Sequence, residues 1–174
     1  MDAQGEFGAR FVTGQGLVEI GFERRFEHGV ESVWRALTDP ALLPQWLAPG
    51  RIELRLGGAA RLDFGDSGIV IDSAVSACDP THLLEYSWSG PGEETLRPLR
   101  GRLEPAEVGC RLSLTLRIPE GEDAARSAAG WEAHLDMLAA ALEGVPVKFP
   151  FERFKAAREA YRNKLADAGD QDAA

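Results

Sequence analysis

Side chains with chemical capacity are few in this chain, and they are dispersed. Histidine occurs three times, as His28, His82 and His134, and cysteine twice, as Cys78 and Cys110. No spacing among them forms HExxH, and two isolated cysteines make neither a CxxC metal site nor a disulfide framework. Both cysteines fall in strand-like stretches, where a free thiol behaves as a small apolar side chain. Gly57-Gly58 lacks a following Gly-Lys-Ser/Thr and reads as a turn, and neither GxGxxG nor a serine nucleophile elbow is present. The densest titratable cluster is Glu132, His134 and Asp136. At about 100° per residue, Glu132 and Asp136 share a helix face while His134 is rotated roughly 200° from Glu132, so the three cannot converge on one metal. His134, three residues after Trp131, faces inward or to the flank, either donating to a guest or held as a structural histidine. General acid–base catalysis has no His–carboxylate or Cys–His pair that spacing alone can name. No metal or cofactor is therefore expected, and a binding role is favoured over an enzymatic one.

Two arginines say more. Residues 17–26, LVEIGFERRF, put Val18, Ile20, Phe22 and Phe26 on one face of a strand, and Arg24 falls on that same apolar face. A charge there has to find an acid, reach water or serve a cavity, because an unpaired buried charge is costly. Arg97 also falls in inward phase. Together with His134, these are the groups able to orient the polar end of a ligand. Arg55, Arg61, Arg100 and Arg102 lie in the opposite phase and read as a solvated sheet face balanced by Glu53, Asp63 and Glu104.

The elements that must position these residues follow from periodicity. Phe11-Val12 reads as a short strand turning through residues 13–16 into the next one. Val30, Val33, Trp34 and Leu37 recur at helical spacing, Asp39-Pro40 ends that helix, and a second short helix is expected over residues 40–47. Residues 51–118 form a meander of strands: RIELRL with Ile52, Leu54 and Leu56 on one side, AARLDF, GIVIDSAVSAC, HLLEYSW, TLRPLRGRLEP and CRLSLTLRI. Short turns between them imply antiparallel pairing. Trp131, Leu135, Leu138 and Leu142 mark an amphipathic helix long enough to cover the sheet, ending near Gly144 and Pro146. Ala128, Ala129 and Gly130 near its start suggest a close backbone approach. A last helix from Phe151 to about Leu165 presents Phe151, Phe154, Tyr161 and Leu165 on one stripe, and the tail after Ala166 reads as disordered.

With 174 residues and a formal charge of −9, one domain is expected, and the acidity argues against a nucleic-acid surface. The 44% hydrophobic and 27% charged composition is that of an ordinary globular protein. No apolar run has the length of a membrane span, so no membrane insertion is expected. The first residues lack a secretory-signal pattern, which makes cytoplasmic residence the default.

This order of elements is similar to the helix-grip architecture, an α+β fold in which a curved antiparallel sheet wraps a long C-terminal helix, with two short helices after the first strand. The chain resembles the START-like (SRPBCC, Bet v 1-like) superfamily, and within it homologues of the activator of heat-shock protein 90 ATPase. The resemblance rests on FERRF at 22–26, VWRALTDPALLPQWL at 33–47, Gly57-Gly58, DPTHLLEYSW at 79–88, GCRLSLTL at 109–116 and AGWEAHLDMLAAALEG at 129–144. One departure is Arg117, which stands where the family often has the His of Thr-x-His, so no role of that His is carried over.

The resemblance covers about residues 17–144, so a helix-grip domain is expected over 17–145; the residues flanking it read as an N-terminal extension at 1–16, an extra docked helix at 146–166 and a tail at 167–174. It further implies a cavity between sheet and long helix that takes a small, largely apolar molecule. The candidate lining is Arg24, Trp46, Phe64, Tyr86, Trp88, Arg97, Trp131, His134 and Leu138. Alternative readings are docking to a chaperone partner, as the resemblance suggests, and an aromatase/cyclase-like enzyme. A homodimer through Phe151, Phe154 and Tyr161 is a further expectation.

Overall fold

The computed structural model describes residues 7–172, with side chains described as far as residue 168. Among the described residues, eight antiparallel strands form one sheet: β1 (Arg10–Gly14), β2 (Leu17–Phe26), β3 (Gly50–Ile52), β4 (Ala59–Asp63), β5 (Val70–Asp79), β6 (Leu83–Ser87), β7 (Pro98–Pro105) and β8 (Cys110–Pro119). Their spatial order is β1-β2-β8-β7-β6-β5-β4-β3. A meander runs from β3 to β8, and the long β2 then pairs with β8 along its whole length, Leu17 opposite Pro119 and Phe26 opposite Cys110. The inward residues of β8 (Cys110, Leu112, Leu114, Leu116 and Ile118) are all buried. The period-2 pattern therefore reports the sheet's inner face.

A register shift between Val75 and Ala77 breaks the β5–β6 ladder and kinks β5, a bulge of the kind that curves a sheet. Onto the concave side packs α2 (Ala124–Leu142), while α1 (Val30–Thr38) follows β2. Helix α2 starts with Asp123, whose side chain accepts from the Arg126 amide at 3.0 Å. It ends at Gly144, whose φ of 80° lets its N–H reach Ala141 O while Val145 N–H reaches Ala140 O. A last helix, α3 (Phe151–Asp172), docks on α2 and on the segment preceding β1.

Several elements differ from the sequence reading. The strand expected over RIELRL stops at Ile52, and Leu54 and Leu56 are 40% and 72% exposed. The chain folds back there, since Gly58 N–H bonds Arg55 O and a Cβ on Gly58 would lie 2.5 Å from Glu53 O. In place of the second short helix there is one 3₁₀ turn, Leu43–Gln45. Pro44 has no amide to extend an α-helical ladder, and Asp39 instead closes the turn by accepting from Ala41 N–H at 2.9 Å. The small residues of α2 also divide. Ala128 and Ala129 are fully buried, yet a Cβ added to Gly130 would meet nothing within 4 Å, so close packing does not require that glycine. Helix α3 runs through Asp172, beyond the point where a disordered tail was expected, and residues 173–174 and 1–6 lie outside the described residues.

Candidate functional site

The space enclosed between sheet and helix is nearly filled. Leu37, Trp46, Tyr86, Leu99, Leu114 and Trp131 surround a void of only ≈ 30 Å³, small beside the cavities that hold small molecules. Trp46, Tyr86 and Trp131 are 3%, 5% and 4% exposed, and burial pushes the Tyr86 hydroxyl well above the ordinary phenol range. Leu138, also expected to line a chamber, is wholly buried core. The physical reason is size: three aromatic side chains meeting under a bent sheet occupy the gap that the curvature opens.

Room exists at the mouth instead. A cleft of ≈ 590 Å³ opens between the β5 end of the sheet and the first turns of α2. That volume is in the range of small-molecule sites. Half-buried Trp88, just after β6, gives the cleft an apolar wall, and the core residues Ile71 of β5 and Leu116 and Ile118 of β8 lie directly beneath, 3%, 2% and 1% exposed. Trp88 also meets Trp131, which lines the interior void, edge-on with ring centroids 4.8 Å apart. Phe64 backs it, its ring 5.9 Å from both Trp88 and His134. One lip carries Ile69, 51% exposed.

Arg97 forms the polar edge. Its Nε and Nη2 donate to Glu122 Oε1 and Oε2 at 3.0 and 2.8 Å, and Nη1 donates to Glu93 Oε2 at 2.6 Å. The two acids tie the β6–β7 loop to the loop ahead of α2. The Glu122 carboxyl is held below its usual range by the Arg97 hydrogen bond, and Arg97 is raised by both acids. Of the residues the sequence singled out, Trp88 and Arg97 line this cleft; Glu93, Glu122 and Ser127 were missed. Nothing in local spacing relates Glu93 to Glu122, because only the sheet and the start of α2 bring their loops together.

Arg24 lies elsewhere. Its Nη2 donates at 2.7 Å to Oε1 of Glu132, a carboxylate 1% exposed. Tyr161 OH donates to Oε2 of the same carboxylate at 2.8 Å, and an Arg153 Nη2 stands 3.8 Å away. Tyr161 OH also accepts from Ala9 N–H at 3.1 Å, Lys164 donates to Ala9 O at 2.7 Å, and Arg153 pairs with Asp136. Arg24 thus makes the ion pair that a charge on an apolar strand face requires, and it borders neither space above. The same network corrects the dimer stripe. Tyr161 is 1% exposed and Phe154 packs on Phe149, which leaves Phe151, 65% exposed, as its open member.

His134 is mostly withdrawn from water. Its Nδ1 lies 2.9 Å from Trp46 O, an arrangement that puts the proton on Nδ1, and the rings of Phe64, Trp131 and Phe149 surround it. Burial lowers its pKa below the ordinary imidazole value. Desolvation likewise raises the thiols of Cys78 and Cys110, which keeps them protonated and poorly nucleophilic. Among the described residues, no group of three or more His, Cys, Asp or Glu could hold a metal ion, and no helix is long and apolar enough to cross a membrane.

The outer face of the sheet has a second, polar concavity of ≈ 300 Å³ with Arg100, Arg102, Arg117, Glu19 and Glu85 among its walls. Arg117 pairs with Glu19 there and Arg100 with Glu85, at 3.5 and 3.3 Å.

A curved antiparallel sheet gripping one long helix, with a cleft at its mouth, defines the START-like, helix-grip class. Residues 27–143 match the family described as "Activator of Hsp90 ATPase homolog 1-like protein", and the chain belongs to that family. No curated protein matches. Among solved structures, CalU16 from Micromonospora echinospora is 24% identical, with 90% of this chain and 93% of that one covered and a TM-score of 0.72. A protein from Bordetella parapertussis is 28% identical over 88% of each chain, with a TM-score of 0.70. A conserved protein of unknown function from Enterococcus faecalis is 21% identical over 95% of each, with a TM-score of 0.76. CalU16 and the Enterococcus protein, both below 25% identity, attest the fold alone. The family and fold are those of a ligand-binding domain.

Proposed function

We propose that the protein holds a small, largely apolar molecule in the mouth-side cleft, with Trp88, Ile71, Leu116 and Ile118 beneath it and Arg97 at its polar edge. The observation carrying this reading is the cleft itself, ≈ 590 Å³ over an apolar floor, beside an interior that leaves ≈ 30 Å³. Apolar contact supplies roughly 25 cal/mol for each Å² removed from water, and a few polar groups orient the guest. Trp131, Tyr86 and Trp46 then act as the rigid backing of Trp88.

The test uses N-phenyl-1-naphthylamine, an uncharged fluorescent probe. Uptake is expected with enhanced probe emission and loss of tryptophan emission. Ile69→Asp, on the lip, weakens it at least about fivefold, while Val108→Asp, at another exposed apolar residue outside the cleft, leaves it unchanged. Absence of uptake, or equal uptake by all three proteins, removes the reading.

A second reading, docking of a chaperone partner, draws on the outer concavity. Arg102 lies in it with no ion-pair partner among the described residues, so an acidic segment has a cation to meet. Stimulation of a purified chaperone ATPase, lost in Arg102→Glu, supports it; no stimulation by the native protein discards it.

A further inference from the structure

Resting on the cleft reading, a charge argument narrows the guest. Among the described residues, three charged side chains line the cleft: Arg97, Glu93 and Glu122. Arg97 is committed on both edges of its guanidinium, to Glu122 through Nε and Nη2 and to Glu93 through Nη1. An incoming carboxylate or phosphate finds that fork already filled, and finds one negative charge in excess at the edge. The acids retain capacity. Glu93 and Glu122 side chains are 47% and 38% exposed, and a carboxylate has about four acceptor positions, of which Arg97 uses one on Glu93 and two on Glu122. Ser127, on the α2 side of the same cleft, has a hydroxyl with no protein partner among the described residues and can accept as well. Apolar floor, acceptor-rich edge and excess negative charge define one ligand chemistry.

We propose that the cleft selects cationic amphiphiles, an apolar body carrying a protonated amine, and rejects their carboxylate counterparts. Glu93 and Glu122 are the specificity-determining residues, with Arg97 holding them in place.

The experiment compares decylamine, decan-1-ol and decanoate as displacers of N-phenyl-1-naphthylamine at pH 7.5, below their micellar concentrations, in 20 mM and in 500 mM NaCl. At low salt the amine is expected to bind about tenfold tighter than the alcohol, and the acid about tenfold weaker, the scale of one partly screened charge at contact distance. High salt compresses the series. Glu93→Gln neutralises the edge and brings amine and acid close together. Glu93→Gln/Glu122→Gln frees Arg97 and inverts the preference toward decanoate. Glu93 sits on an exposed loop, so the single variant decides the matter if the double variant does not fold. Equal binding of amine and acid while the alcohol binds overturns the charge selection and leaves the cleft reading intact. Failure of all three displacers overturns both.

Discussion

Trp88 meets Trp131 edge to face with ring centroids 4.8 Å apart, joining a wall of the open cleft to a wall of the small interior void. The pair is held from both sides, Trp131 against Trp46 and Trp88 against Phe64. What the cleft can accept therefore depends on a wall that is itself part of the core.

Replacing Trp88 tests that wall. Trp88→Ala is expected to join the two spaces and cost about 3 kcal/mol in stability, the lower range for aromatic truncation because Trp88 is half-buried. Urea denaturation measures the cost. Trp88→Phe keeps an aromatic edge and should retain most stability while weakening probe binding several-fold.

Among the described residues, Glu132 is the one charged residue that is fully buried, at 1% exposed. Glu132→Leu alone leaves Arg24 facing an apolar side chain and removes the acceptor of Tyr161, with an expected loss of about 3 kcal/mol. Arg24→Met/Glu132→Leu should recover more than half of that, since a matched apolar pair no longer carries an orphan charge. A double-mutant cycle by denaturant unfolding checks both values.

Tyr161 ties α3 to the N-terminal segment through the Ala9 amide at 3.1 Å and to α2 through Glu132 at 2.8 Å. Tyr161→Phe removes both bonds and should cost about 1–3 kcal/mol. The specific signature is faster hydrogen exchange at the Ala9 amide with exchange in β8 unchanged.

Gly130 offers a stabilising substitution. It sits inside α2 with open space where a Cβ would go. Gly130→Ala is expected to raise stability by about 0.5–1 kcal/mol through a smaller loss of backbone entropy, read as a higher melting temperature.

His134 sets a pH dependence with a definite sign. Its pKa in the folded protein is lowered by burial from the ordinary value of 6.5, so the unfolded chain binds the proton more readily. The stabilisation is complete above that unfolded value and is lost as pH falls through it toward the folded value. Melting temperature between pH 7.5 and 5 should fall more steeply in the native protein than in His134→Asn, which keeps a donor for Trp46 O but cannot titrate. Parallel curves would assign the acid sensitivity to carboxylates.

The fold was legible from residue order because strands and helices advertise themselves locally. Leu112, Leu114, Leu116 and Ile118 alternate, while Trp131, Leu135 and Leu138 repeat at helical spacing, and each pattern needs only its own segment to be read. Arg24 announced a partner by its phase, though not which acid. The identity of that partner, the place of the cleft and the fate of the chamber came only with the third dimension. Glu132 reads as a surface helix residue until Arg24 arrives from β2 and Arg153 and Tyr161 from α3. Trp46, Tyr86 and Trp131 read as the lining of a pocket, but only in space does it emerge that the void they surround is ≈ 30 Å³. Glu93 and Glu122 acquire meaning only when two loops, distant along the chain, close on Arg97. Periodicity is a property of neighbours in sequence; cavity volume and charge balance are properties of neighbours in space, and packing alone assigns those.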